Sequence, residues 1–418
     1  MKEVFISGLG IPIGLKIFIH MFNFHRYLYG MKSYLKTSRR DFIKKTTLMT
    51  GALSMAGNAV FAMSNRKVKT QNSIPKWKGF NVLDFFSPNP RRSRRGTTDQ
   101  DLQWMADWGF DFLRIPMAYP SYLDIDRNKD IKPDDVYKID EKALEKVEEL
   151  VYLAHKYHMH VSLNLHRAPG YCINAGFHEP FNLWKDKEAQ EAFYWHWTMW
   201  AKRFKNISRE KISFDLLNEP AWIEDMNNQH SPKTIIPGNT YALIAEKAAN
   251  AIWGVNPDHL VIADGNEVGS RVIPEITHLP IAQSCRGYYP HIISHYKAPW
   301  AFKDISNMPE LKYPGEVDGK YLGRQMLEDF YKPWIELVQS GVGVHCGECG
   351  CYNQTPHDIF LAWFGDVTDI LGSNGIGIAL WNFRGSFGIL DSGRMDVDYE
   401  DWYGHKLDRK LLDLILNA

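Results

Sequence analysis

Two glutamates stand apart from the other acidic residues of this chain. Glu219 sits in Leu217-Asn218-Glu219-Pro220, and Glu348 closes the run Val342-Gly343-Val344-His345-Cys346-Gly347. Each ends a short apolar stretch, the point at which a buried strand hands over to a loop. Other polar and aromatic residues occupy the same kind of position: Arg114 in Leu113-Arg114-Ile115-Pro116, His166 in Leu163-Asn164-Leu165-His166, His295 and Tyr296 beyond a later run, and Trp381. Two carboxylic acids on different strands, among Asn, His, Arg and aromatic side chains, suit the cleavage of a glycosidic bond. One acid protonates the departing oxygen while the other stabilises or attacks the oxocarbenium-like carbon. Plainer roles exist for the supporting residues. Arg114 could be a structural ion-pair partner, His166 a hydrogen-bonded core histidine, and Trp381 packing.

The elements that must position these residues can be read from periodicity. Residues 77–83, 110–116, 160–166, 212–220, 259–265, 281–289, 341–348 and 375–383 are short apolar or alternating runs and read as strands. Between them lie helix-period segments at 142–157, 188–204, 241–253, 325–338 and 357–371. In the first of these, Leu144, Val147, Val151 and Ala154 fall on one face. Short runs alternating with longer amphipathic ones predict an α/β fold with a parallel sheet. Eight such units in residues 74–418 predict a (β/α)8 TIM barrel, one catalytic domain with its functional groups at the C-terminal strand ends. A doubly wound sheet would carry a glycine-rich phosphate loop after its first strand, where this chain has Ser87-Pro88-Asn89-Pro90-Arg91-Arg92.

Composition narrows the partners. Lys plus Arg equal Asp plus Glu at 49 each, so no global field draws nucleic acid or an anionic membrane, and a neutral partner is expected. The 14 Trp and 20 Tyr could supply ring faces for sugars, with Trp184, Trp222, Trp300 and Trp402 as candidate platforms, although aromatic residues also fill cores. The 16 histidines raise a metal-dependent barrel hydrolase as an alternative. Against it, strand one has no His-x-His pair, and the strand-end histidines lack enough carboxylate partners for a metal cage. No metal or other cofactor is expected. A sugar-binding barrel without catalysis is the other alternative, opposed by the presence of both glutamates together with Arg114 and Asn218. Five cysteines include the cluster Cys346, Cys349 and Cys351, which has no second half with zinc-ligand spacing and reads as small buried residues with at most one disulfide. Asn266-Glu267 and His178-Glu179-Pro180 compete with Asn218-Glu219, but the first pair falls on strand five and the second lies in a loop.

In order along the chain, the Arg114, His166, Asn218-Glu219-Pro220, Gly347-Glu348 and Trp381 motifs resemble those of glycoside hydrolase family 5, the cellulase-type barrels. The resemblance covers the chain from Trp77 onward. It implies retaining hydrolysis of a β-linked polysaccharide or oligosaccharide, glucan-like or mannan-like, by double displacement through a glycosyl-enzyme. Glu219 would be general acid and then general base, held neutral at rest by its surroundings. Glu348 would be the nucleophile, with Arg114 favouring its ionised form. Asn218 would bond the 2-hydroxyl, His166 and His295 would orient sugar hydroxyls, and Trp381 would stack beneath the transferred sugar. Retention also implies carboxyl groups about 5–5.5 Å apart. The family pattern His-x-Tyr after strand six, whose tyrosine touches the nucleophile, is expected at His295 and Tyr296, with the tyrosine one residue early and His291 as a competing histidine.

The N-terminal residues 1–73 read as an address. Ser38-Arg39-Arg40-Asp41-Phe42-Ile43-Lys44 resembles a twin-arginine export signal, followed by a weakly apolar run and Val60-Phe61-Ala62, a site suited to signal peptidase. Such signals begin near a start codon, so translation from Met31 is expected. These features imply a bacterial protein passed to the twin-arginine translocase, periplasmic or secreted, and acting as a monomer.

Overall fold

The computed structural model describes residues 73–89, 96–174 and 179–418; the export segment and His178 lie outside them. Eight parallel strands close into a barrel: β1 Lys78–Asn81, β2 Phe112–Ala118, β3 His160–Ala168, β4 Ile212–Asp215, β5 Leu260–Asp264, β6 Ile281–Gly287, β7 Val344–Cys349 and β8 Gly377–Leu380. Each pairs with the next, and β1 closes the ring on β8 through the partners Gly79 and Ala379. The (β/α)8 expectation from alternating periodicity is therefore met strand for strand. The helices are α1 Asp99–Asp107, α2 Glu141–Lys156, α3 Lys187–Arg203, α4 Gly238–Trp253, α5 Arg324–Gln339, α6 His357–Ser373 and α7 Arg409–Leu416. The repeat is broken once, between β5 and β6. Gly269 and Pro274 interrupt that link, and a single 3-10 turn, Pro274–Ile276, covers the barrel there with Ile273 and Ile276 buried.

The two faces of the strands carry different chemistry. Outside, the strands meet helices through large apolar groups, among them the fully buried Trp197, Trp200, Trp334 and Trp363. Inside, the barrel grades from aromatic at its base to ionic at its top. Trp77 stacks on His160 at 3.9 Å and Phe112 lies 4.4 Å from His345, forming a floor of rings. Burial pushes both histidines down to about 3, so they serve as neutral packing. The close approach of β1 and β2 requires glycine at 79, since a Cβ there would sit 1.7 Å from the Phe112 carbonyl oxygen. Above the rings, Arg114 from within β2 and Asp215, Asp264, Arg286 and Glu348 from the ends of their strands point into the same volume, all buried.

A bulge in β7 aims Glu348. The register slips between Cys346 and Glu348 against β6, leaving Gly347 as the extra residue. The Asn81 amide donates to the Gly347 carbonyl at 2.9 Å, and the Cys346 thiol donates to the Glu348 carbonyl at 3.3 Å. A Cβ on Gly347 would lie 2.6 Å from Ser284 Oγ. All five cysteines are buried thiols, so the single disulfide allowed by the sequence does not form.

Candidate active site

Glu219 follows β4 by four residues, and the ladder continues under it through Leu216 N–H to the Ile262 carbonyl and Asn218 N–H to the Leu165 carbonyl. Its backbone adopts φ +47, a left-handed conformation that costs free energy in a residue with a side chain. Neighbours hold it there. The Glu219 N–H donates to Asp264 Oδ2 at 2.9 Å, and Tyr171 OH donates to the Glu219 carbonyl at 2.7 Å while accepting from Ala221 N–H. The result turns the carboxyl inward over the barrel mouth.

Glu348 faces it from β7. Arg114 Nη1 donates to Glu348 Oε1 at 2.6 Å, Arg286 Nη2 approaches the same oxygen at 3.4 Å, and Tyr288 OH donates to Oε2 at 3.3 Å. Two guanidinium groups on one oxygen is an arrangement suited to a carboxylate anion. The opposite holds for Glu219. Burial, and secondarily the Glu348 charge, push its carboxyl up to about 8, against the opposing pull of Arg286. Like carboxyls thus sit in unlike environments, the pattern that separates an acid from a nucleophile.

The supporting network is denser than the sequence suggested. Arg114 also donates from Nε to Asp215 Oδ2 at 2.8 Å and from Nη2 to Asn218 Oδ1 at 3.1 Å. Arg286 grips Asp264 with both Nη atoms, reaches Glu219 Oε1 from Nε at 3.1 Å, and donates to Asn218 Oδ1 at 2.9 Å. Burial opposes the charge on Asp264, but Arg286 and Arg114 outweigh it and hold its carboxyl below the usual range. Burial and the neighbouring Asp264 instead push Asp215 up to about 7. Because two arginines fix Asn218 Oδ1, its Nδ2 is turned away and, among the described residues, has no hydrogen-bond partner. That donor is available to a sugar hydroxyl.

The other expected residues divide. His166 lines the same cavity as both glutamates, with Nε2 on Asn174 Oδ1 at 3.1 Å and its ring 5.5 Å from Trp381. Burial lowers it to about 4, leaving a neutral ring for hydrogen bonding. Trp381 and His295 line that cavity as well, and His295 packs edge-on against Tyr288. Tyr296 does not: its hydroxyl donates to the Pro309 carbonyl at 3.0 Å, within the core. A helical turn, His291–Ser294, intervenes after β6 and carries Tyr296 past the mouth. The tyrosine on Glu348 is Tyr288, in Arg286-Gly287-Tyr288 at the end of β6, so arginine stands where the His-x-Tyr pattern leads one to expect histidine. Reading that pattern with any polar residue first would have found it. Among the tryptophan platforms, Trp300 alone borders this cavity; Trp184 is buried against Tyr171, Trp402 packs on Trp108, and Trp222 lies under Lys185. Of the competing acids, Glu179 is buried on Arg167 and the Gly170 N–H, and Glu267 pairs with Arg271 on the rim.

Comparison with known proteins agrees with this geometry. A solved structure described as a glycoside hydrolase shares 37% identity with a TM-score of 0.74, covering 82% of this chain and 99% of that one. Endoglucanase C of Acetivibrio thermocellus is 26% identical over 72% of this chain and 89% of its own length. Cellodextrinase A of Ruminococcus flavefaciens is 23% identical over 66% of this chain and 76% of its own. The sequence model described as cellulase (glycosyl hydrolase family 5) matches residues 67–386. The chain therefore belongs to glycosyl hydrolase family 5, whose members cleave β-glycosidic bonds with retention at the anomeric carbon.

Proposed function

We propose that Glu219 is the acid/base and Glu348 the nucleophile in a double displacement on a β-linked, glucan-like chain. The observation that carries this is the electrostatic contrast between them: Glu348 Oε1 faces two guanidinium groups, while the Glu219 carboxyl is pushed up to about 8. In the first step, Glu348 attacks the anomeric carbon as the bond to the leaving oxygen breaks and takes up the Glu219 proton. In the second, Glu219 takes a proton from water, the water oxygen bonds to the anomeric carbon, and the Glu348 ester is released. Asn218 Nδ2 supplies the 2-hydroxyl contact, and Trp381 with His166 forms the seat of the transferred sugar.

A chain substrate is favoured by what lies beyond the acid. A second cavity of about 1070 Å³ opens on the rim formed by the loops after β4, β5 and β6, and shares Gln229, Lys233, His295 and Trp300 with the catalytic cavity. This is the Glu219 side, so the groove receives the leaving part of the substrate. Its volume is above the roughly 300–1,000 Å³ typical of small-molecule pockets. Tyr289 lies flat on Phe330 there, with centroids 4.2 Å apart and planes 5° apart, and presents a ring 36% exposed. The names of the endoglucanase and cellodextrinase relatives support a β-glucan as the polymer.

Hydrolysis of soluble β-glucans and mannans by wild type, Glu219→Ala and Glu348→Ala tests the reading. Each variant should lose at least about 100-fold; undiminished turnover in either overturns the assignment, and binding without turnover in wild type favours a non-catalytic barrel. We further propose export before action, on the strength of Arg39 and Arg40. Replacing both with lysine should retain the protein in the cytoplasm, and unchanged export would refute that route.

A further inference from the structure

We propose that Arg286 is a positioning residue for the second half of the reaction, holding Glu219 as a carboxylate while Glu348 is tied up as the glycosyl ester. The inference rests on the roles proposed above for the two glutamates. Arg286 is 3% exposed, and one guanidinium reaches both carboxyls: Nε to Glu219 Oε1 at 3.1 Å and Nη2 to Glu348 Oε1 at 3.4 Å. Asp264 clamps it from below through both Nη atoms and also receives the Glu219 backbone N–H, so guanidinium and glutamate share one anchor. Space for the side chain is built in. Gly269, at φ +75, approaches so closely that a Cβ there would lie 2.6 Å from Arg286 Cγ.

The charge movement gives this placement its consequence. Before the reaction the negative charge of the pair lies on Glu348, and Arg114 and Arg286 both face it. Bond formation to the anomeric carbon removes that charge, and loss of the proton to the leaving oxygen places it on Glu219. Arg114 has no contact with Glu219 among the described hydrogen bonds and ion pairs; Arg286 does. A fixed cation touching both ends therefore meets the charge in either state without moving, at no reorganisation cost. Its hold on Glu219 favours the base form, which deglycosylation needs, and opposes the acid form, which glycosylation needs. Lys233, which lines the same cavity as Glu219, lies at the groove and contacts no carboxylate among the described ion pairs.

Removing Arg286 should therefore slow deglycosylation more than glycosylation. The experiment compares wild type with Arg286→Gln and Arg286→Lys on two aryl β-cellobiosides, one with a dinitrophenyl leaving group that needs no acid and one with a phenyl group that does. For the dinitrophenyl substrate, kcat of the Gln variant should fall about tenfold or more with KM falling in parallel, and a pre-steady-state burst near one equivalent should appear. Azide, which attacks without a base, should restore turnover. For the phenyl substrate the loss should be several-fold smaller. Lysine should recover part of the rate, since it keeps the charge with a single attachment point. Equal losses on both substrates with no burst would overturn the proposal. If the Gln variant does not fold, Gly269→Ala is read instead: it displaces the arginine stem while keeping the charge, and should show the same burst in smaller measure, its absence in folded protein counting against the proposal. A wild type inert on both substrates would refute the catalytic reading itself, a result distinct from an active wild type whose variants show no burst.

Discussion

At the scale of single residues, two identical side chains, Glu219 and Glu348, lie in different surroundings. Burial contributes most to raising Glu219, and the Glu348 charge adds to it. The sign is fixed by which form does the work. On the proposed assignment Glu219 donates its proton in the first step, so kcat/KM should be sustained below its pKa and fall as the pH rises through about 8. A pH profile on a substrate with a poor leaving group checks this; an alkaline limb near the ordinary glutamate range would contradict it. With an activated leaving group the limb in kcat/KM should flatten, because the proton is no longer required. The residues visible in the sequence were those ending apolar runs, and Arg114, His166, Asn218, Glu219, Glu348 and Trp381 all converge on one cavity or its floor. Arg286, Asp264 and Asp215 were not singled out because charged residues inside or closing a strand look like ordinary polar strand positions. Their importance comes from contacts between strands far apart in sequence, which no local pattern encodes.

At the scale of elements, strand ends and one bulge do the aiming. The eight strands were legible because alternation and short apolar runs survive burial on both faces, and the helices because their apolar stripes recur every three or four residues. Boundaries were less legible. Residues 212–220 read as one strand, yet β4 proper stops at Asp215, and the chain leaves the ladder so that Glu219 can adopt its left-handed turn. The β7 bulge was equally invisible, since Gly347 looks like any glycine before a functional residue. It should not tolerate a side chain. Gly347→Ala would press a Cβ to 2.6 Å from Ser284 Oγ and 3.3 Å from Arg286 Nη1. We expect a stability loss of about 1–3 kcal/mol from overpacking, together with a kcat loss exceeding any change in KM, as Glu348 is pushed off line. Thermal unfolding and steady-state kinetics read both; a variant with wild-type stability and rate would show that the bulge is not tightly constrained.

At the scale of the whole molecule, the barrel's ends and sides divide the labour. Rings seal the base, an ionic lattice fills the top, and loops after β4, β5 and β6 extend the site sideways into a groove. The missing helix between β5 and β6 lies on that same side, where the link from Asn266 to Arg271 forms part of the groove wall. If the leaving chain lies over Tyr289, Tyr289→Ala should raise KM for a polymer or long oligosaccharide several-fold, the loss of a stacking platform being worth about 1 kcal/mol. Aryl cellobiosides, whose short leaving group does not reach that ring, should lose less than about twofold by the same reasoning. Equal effects on both would place the chain elsewhere.

In the proposed mechanism Glu348 forms the covalent bond to the sugar and Glu219 does not. An activated 2-deoxy-2-fluoro-β-cellobioside tests it directly, because fluorine at C2 disfavours the oxocarbenium-like transition state and slows release while the good leaving group lets the first step proceed. Mass spectrometry of the digested, inactivated enzyme should find one added fluorosugar on the peptide containing Glu348. A label on Glu219 or on any other residue would contradict the account.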